Sequence, residues 1–434
     1  MRMKFCGAIV AACAATLVFP ATAQAVDSVS STPSSTIGVI GALPPEPGHK
    51  PWDGADRAHD MAFFTESGKP HAIVVGRFNT YIPPGRTAVK NLNNLVIINM
   101  TTGNARATGL QVQGEILTVK ISSGGTAAYI GGNFTLTDDG QVRQNAAKLR
   151  LSDGALYSWN PKVNGVVNDI DLAGKKRGKV LLAGGFTSPR AYFASVSASS
   201  GALTDWMKVS VSVPQDGPLV GFNLVTNSTG EYIIGTGSFT VVNGKAHSRM
   251  FVMKATKERA KLKAWATKQT NHACSPNKSH EELGIAFAGR YKFGIAATGG
   301  GVRSSSVCDT VSVWTLKDEL KNDNAKPLWK QYTSHDSMSG IGFFRGYTYA
   351  AGHNKGCNTT ALIVPDDERY DGLCQYNTKT GALTGWKPTT SRQSSMHVRL
   401  VPTPSGFGVS GLGYVGDANM IGGQARNNLA FFPA

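Results

Sequence analysis

The stretch Tyr129-Ile130-Gly131-Gly132-Asn133-Phe134-Thr135 comes back along this chain. Leu182-Ala183-Gly184-Gly185-Phe186-Thr187 repeats it closely, Ile234-Gly235-Thr236-Gly237-Ser238-Phe239-Thr240 repeats it with one insertion, and Val75-Gly76-Arg77-Phe78-Asn79-Thr80 precedes it. Weaker echoes follow at 297–301, at Tyr349-Ala350-Ala351-Gly352-His353 and at Val409-Ser410-Gly411-Leu412-Gly413. Copies recurring every 50 residues or so (roughly 50 to 65) are the mark of an array, a solenoid or a propeller.

The second repeat displays the unit. Ala146 to Leu151, the turn Ser152-Asp153-Gly154 and Ala155 to Trp159 are followed by Gly165 to Ile170 and Val180 to Thr187. Four short strands separated by turn signals are what a propeller blade consists of. A second phase marker is a turn glycine, then Leu, then Trp: Gly154…Leu156…Trp159, Gly201…Leu203…Trp206 and Gly381…Leu383…Trp386, with Leu262…Trp265 and Leu328-Trp329 lacking the glycine. An aromatic recurring at the spacing of the unit reads as packing between units. Arginine recurs before the third strand, at Arg143, Arg190, Arg249 and Arg426, and is expected to cap carbonyls of the neighbouring unit; the alternative is a ring of cations on one face.

The expected fold is therefore all-β: a seven-bladed β-propeller of four-stranded antiparallel blades. Fifty glycines and many short Val/Ile/Tyr/Phe runs agree with it. The last repeat reaches Asn428 to Ala434 without a tryptophan strand, and the N-terminal segment, with Pro51-Trp52 and then His59-Asp60-Met61-Ala62, is expected to close the ring by completing that blade. Residues 52–434 then form one domain.

Ahead of it, residues 1–25 read as a signal peptide: Arg2 and Lys4, an apolar run from Phe5 to Phe19, and Ala23-Gln24-Ala25 at the cleavage site. The competing reading is a lipoprotein signal ending at Cys13. Residues 26–51, rich in Ser, Thr and Pro, read as a flexible linker. No later stretch approaches the ~20 apolar residues of a membrane span. A secreted, extracellular chain is expected.

Cys274, Cys308, Cys357 and Cys374 remain after the signal, an even number that implies two disulfides in an oxidising compartment. Three connectivities exist, and the sequential pairing, Cys274 with Cys308 and Cys357 with Cys374, is preferred. A formal charge of +16 favours anionic polymers as partners, with plain solubility as the bland reading; the charges are too scattered to point to nucleic acid.

The combination Gly-Gly-Asn-Phe-Thr at 131–135, Arg143, Asn145 to Leu149, Asp153-Gly154, Trp159-Asn160-Pro161 and Asn164-Gly165-Val166 resembles the delta-60 repeat family, β-propeller proteins common among secreted proteins of actinobacteria. The resemblance runs from about residue 52 to the end, and it implies a fold but transfers no catalytic residue. Repeats five and six depart most from the pattern.

Candidate site residues come from histidine. His59 with Asp60, His280 with Glu282, His335 with Asp336, and His397 lie at or just before the innermost strands, so they can converge at one mouth of a central channel. Convergent His and carboxylates are ligand-binding, metal-ligand or acid–base chemistry; the alternative is that each solvates a loop. The acidic loop 365–372, between Cys357 and Cys374, supplies oxygens for calcium or another divalent metal but lacks the alternating order of a calcium loop, and no cofactor is otherwise expected. No nucleophile elbow, zinc-protease, P-loop or dinucleotide motif is present. The expected function is a non-catalytic binding module for extracellular glycans or a protein partner, with a hydrolase or lyase acting on an anionic polysaccharide as the alternative.

Overall fold

The computed structural model describes residues 28–41, 56–213, 221–270, 283–297, 306–334, 338–352, 356–357, 372–390, 398–416, 418 and 420–434. The expected signal peptide, Trp52, the linker residues 42–51, Cys274 and the acidic loop up to residue 371 lie outside them. Among the described residues, apart from two single 3-10 turns, Lys175–Arg177 and Lys268–Thr270, the regular structure is β-strand.

Among the described residues, seven antiparallel sheets carry the repeats, and each begins with a strand that we number in chain order: β1 (Arg57–Glu66), β2 (Gln111–Ile121), β3 (Val167–Ala173), β4 (Asn223–Thr226), β5 (Leu283–Ala288), β6 (Met338–Phe344) and β7 (Arg399–Pro402). Their partners are the glycine-bearing runs of the repeat, such as Lys179–Gly184 and Gly411–Val415. These second strands are sandwiched between two strands of their own sheet and two other sheets. They therefore read as continuous apolar runs without alternation. Two-residue turns with both residues at positive φ, Ser67-Gly68 and Asp139-Gly140, join consecutive strands; that backbone twist matches the twist of the strands it connects.

Strands β1 to β7 pack each against the next, and β7 packs against β1. Glycine is required where sheets approach closely. A Cβ on Gly131 would lie 2.6 Å from Val167 and 3.0 Å from Ile170 of the following sheet, and one on Gly413 would collide with Met61 of β1. The phased tryptophans bridge the same seams. Trp159 donates to the Ser197 carbonyl at 2.8 Å, Trp206 to Thr256 at 3.2 Å and Trp329 to Thr378 at 2.9 Å, each reaching the next sheet in the chain. The arginines differ from expectation in one respect. Arg143 binds the carbonyls of Tyr157 and Trp159, and Arg190 those of Thr204 and Met207, so each caps the outer strand of its own repeat.

The N-terminal segment departs further from its reading. Part of the expected linker, residues 28–41, is stitched to both ends of the chain: Ser30 and Ser34 donate backbone N–H groups to Pro433 and Phe431, each at 2.7 Å, and Val39–Gly41 pairs with Thr80–Ile82. Trp386 donates to the Ser30 carbonyl at 2.9 Å, and Arg426 to Ile37 at 2.9 Å. Residues 59–62 lie in β1, the first strand of the first sheet, which agrees with the innermost position expected for His59 and Asp60. An edge strand needs only backbone donors and a few buried aliphatics, here Val29, Ile37 and Ile40, so a Ser/Thr/Pro-rich segment can supply it without a visible period. Cys357 and Cys374 are joined, as the preferred pairing has it, and Cys308 is also disulfide-bonded.

Candidate functional site

All seven first strands contribute to one cavity of about 400 Å³. Its wall is two-sided. One arc, from β7 through β1 and β2 to β3, carries Arg399, Asp60, Lys120, Asp169 and Asp171; the opposite arc, on β4 to β6, carries Leu224, Ile285, Phe287 and Ile341.

Asp60 and Asp169 owe their inward position to a local irregularity. The register of β1 slips between Ala58 and Asp60, that of β2 between Ile116 and Thr118, and that of β3 between Val167 and Asp169, so each bulge turns the following side chain towards the middle. The carboxylates then fasten neighbouring strands. Asp60 accepts from its own neighbour Met61 N at 2.8 Å and, with the other oxygen, from Val119 N of β2 at 2.9 Å. Asp169 accepts from Ile170 N at 3.0 Å and from Leu224 N of β4 at 3.3 Å; Asp171 accepts from Leu172 N and Thr226 N, each at 2.7 Å. The same arrangement recurs three times: one oxygen on the adjacent amide, the other on an amide of the next sheet.

Between the first two stands Thr118, whose hydroxyl lies 3.2 Å from Asp60 Oδ2 and 3.3 Å from Asp169 Oδ1. A hydroxyl has one hydrogen to give, so it satisfies both carboxylates together only when one of them carries a proton and donates back. Burial acts on both carboxyls in the direction that favours such a proton. Burial pushes Asp169 up to about 6 against the pull of Arg399, with the Asp60 and Asp171 charges adding to the rise and Lys120 opposing it. Burial also raises Asp60, opposed by Arg399 and by the amides of Val119 and Met61. Lys120 sits 2.9 Å from Asp171. Burial disfavours its charge, but Asp171 and the two further carboxylates outweigh that and hold its value above the ordinary one. Its side chain keeps 40% of its exposure because it projects into the open space of the cavity, although protein surrounds that space.

Of the residues expected at the channel mouth, Asp60 lines this cavity. His59 does not: alternation along β1 sends its imidazole elsewhere, to Glu115 Oε2 at 3.0 Å, and that hydrogen bond holds Glu115 below the usual carboxylate range. His280, Glu282, His335, Asp336 and His397 lie outside the described residues. Among the described residues no group of three or more His, Cys, Asp or Glu is arranged to hold a metal ion. Sequence reasoning passed over Thr118, Lys120, Asp169 and Asp171. Two signals were there to find them, the Asp-Ile-Asp alternation at 169–171 and the Thr-Val-Lys alternation at 118–120, each placing two polar groups on one face of a strand, the first on a strand that is otherwise mostly buried.

No family model matches this sequence, and no curated protein does. Among solved structures, the chain is similar to the β-propeller domain of Cps50 (Swd1) from Myceliophteria thermophila, at 12% identity and a TM-score of 0.49, over 83% of this chain and 94% of that one.

Proposed function

We propose that this chain is an exported seven-bladed β-propeller, of the kind its delta-60-like repeats imply, whose ring is closed by residues 28–41 and which acts as a non-catalytic binding module for an extracellular glycan. Support for the ring comes from the contact of β7 with β1 and from the bonds of Ser30 and Ser34 to the last strand. The observation that carries the function is the two-sided cavity. Its carboxylates are fixed by backbone amides of two strands each, so they are rigid acceptors, and they face an arc of Phe287, Ile285 and Ile341. A fixed set of acceptors and cations opposite an apolar wall suits a hydroxylated ring, which offers polar edges and an apolar face. A cavity of about 400 Å³ accommodates one terminal residue or short end of such a polymer. The basic balance of the chain, a formal net charge of +16 over the full sequence, would assist with an acidic polymer.

A second reading, a hydrolase or lyase acting on an anionic polysaccharide, is favoured by one observation: Asp169, held near 6, stands beside Lys120 and Arg399 in the same cavity, and such a carboxyl is poised to give or take a proton. Co-sedimentation of the protein with a panel of polysaccharides and cell-wall preparations at low and high salt decides between these. Retention on one polymer that survives high salt and is weakened by Asp60→Asn supports the binding module. Release of shortened chains from that polymer, lost in Asp169→Asn, replaces it with the enzyme. Retention that vanishes with salt leaves charge alone, and no retention transfers the reading to a protein partner.

A further inference from the structure

A second cavity, of about 430 Å³, lies away from the centre, between the hairpin Val241–Val242/Lys245–Ala246 and the segment 264–268. Its floor is made of groups that chains seldom bury. His247 is 3% exposed, its backbone N–H is spent on the Thr240 carbonyl at 3.0 Å, and its Nδ1 has no hydrogen-bond partner. Thr267, 5% exposed, accepts from Gln269 N at 3.2 Å with its hydroxyl oxygen, which leaves the hydroxyl hydrogen free to donate. The rim carries the exposed side chains of Lys245, Lys268 and Asp323. Lys245 stands close enough that its charge, added to burial, holds the imidazole below its ordinary value. Two more buried polar atoms without partners, Nε1 of Trp265 and Oδ1 of Asn324, belong to residues next in sequence to lining residues Ala264, Ala266 and Asp323.

A buried imidazole nitrogen without a partner is costly, and one held near the charge of Lys245 is not a packing solution. We propose that this cavity binds an acidic sugar residue, with its carboxylate or phosphate between Lys245 and Lys268 and against the Thr267 hydroxyl and His247 imidazole, and a sugar hydroxyl on Asp323. The charges match that ligand. Two cations against one carboxylate leave a single positive charge, which attracts an anion, and Asp323 repels the anionic group itself but accepts from a hydroxyl beside it. Once an anion lies against it, the protonated imidazole gains a counter-charge and a bond, so binding raises the affinity of His247 for a proton. The inference is independent of the central cavity, and a monomeric ligand tests it apart from any polymer.

The experiment is a histidine-resolved NMR titration of the full chain, His247 being assigned with a His247→Gln variant, using glucuronate, a sugar phosphate, inorganic phosphate and neutral glucose. Glucuronate or the sugar phosphate should shift the His247 ring signals saturably and raise its titration midpoint by about one pH unit. The Lys245→Ala/Lys268→Ala variant, altered only at exposed positions, should bind at least about ten-fold more weakly. Tighter binding of inorganic phosphate than of either sugar acid would retain the anion site and overturn the sugar. Absence of a saturable shift at His247, an equal shift with glucose, or unchanged binding in the double-lysine variant would overturn the proposal as a whole.

Discussion

Ile40→Ala tests whether the N-terminal segment belongs to the folded body. Ile40 is fully buried and shares a cluster with Ile37, Phe78, Tyr81, Leu429 and Phe431, side chains drawn from both ends of the chain. The substitution removes three carbons, about 0.8 kcal/mol each in transfer alone, or roughly 2.4 kcal/mol. The space left behind adds to this, because Phe78 and Tyr81 sit in strands and turns that cannot collapse into it; the expected total is about 3–4 kcal/mol. That is a fall of roughly 300-fold in the ratio of folded to unfolded chain. Guanidinium unfolding should report it as a lower midpoint at unchanged slope. Ile234→Ala, in a fully buried position of the fourth sheet, is the internal standard and should cost a similar amount. A cost below about 0.5 kcal/mol for Ile40→Ala, with the standard behaving as expected, would mean that residues 28–41 are a tether after all.

Two further outcomes follow from the same interactions. Because the folded-state value of Asp169 is raised from 3.8 to about 6, the folded chain binds the proton more tightly, so this group penalises stability above about pH 6 and the penalty is relieved as pH falls towards 3.8. Relative to Asp169→Asn, the wild type should therefore gain on the order of 1 kcal/mol between about pH 7 and about pH 5 in paired unfolding curves; a difference independent of pH would show that Asp169 does not titrate there. Cys357→Ser with Cys374→Ser opens a loop whose ends are 17 residues apart and should lower stability by about 3 kcal/mol, which calorimetry of the two proteins measures; no change would mean that the loop is already fixed by the pairing of Tyr347–Gly352 with Leu373–Asn377.

The framework was legible because it obeys local rules. Gly131 recurs where two sheets leave no room for a side chain, and Trp159, Trp206 and Trp329 recur because each seam needs a wide apolar side chain with one donor at its tip. The charged arc was legible only in part. Asp60 was found through a histidine that in fact turns away to Glu115, while Lys120 and Asp171 meet as partners only after two strands 51 residues apart have been laid side by side. Residues 28–41 were misread for a different reason. Their bonds are made by their backbone N–H and C=O groups, which nearly every residue possesses, so composition carries no trace of them.

The stitch between Ser30 and the last strand has a consequence for assembly. The Trp386 indole and the Ser30 carbonyl are 356 residues apart in sequence, yet what holds them is one short non-covalently docked segment. An edge that accepts residues 28–34 of its own chain can accept the same residues from another copy, since the donated groups are identical, although tethering favours its own. Two copies that open at this seam together can therefore exchange segments and close as a reciprocal pair, and a synthetic peptide spanning 28–41 can compete for the edge from solution.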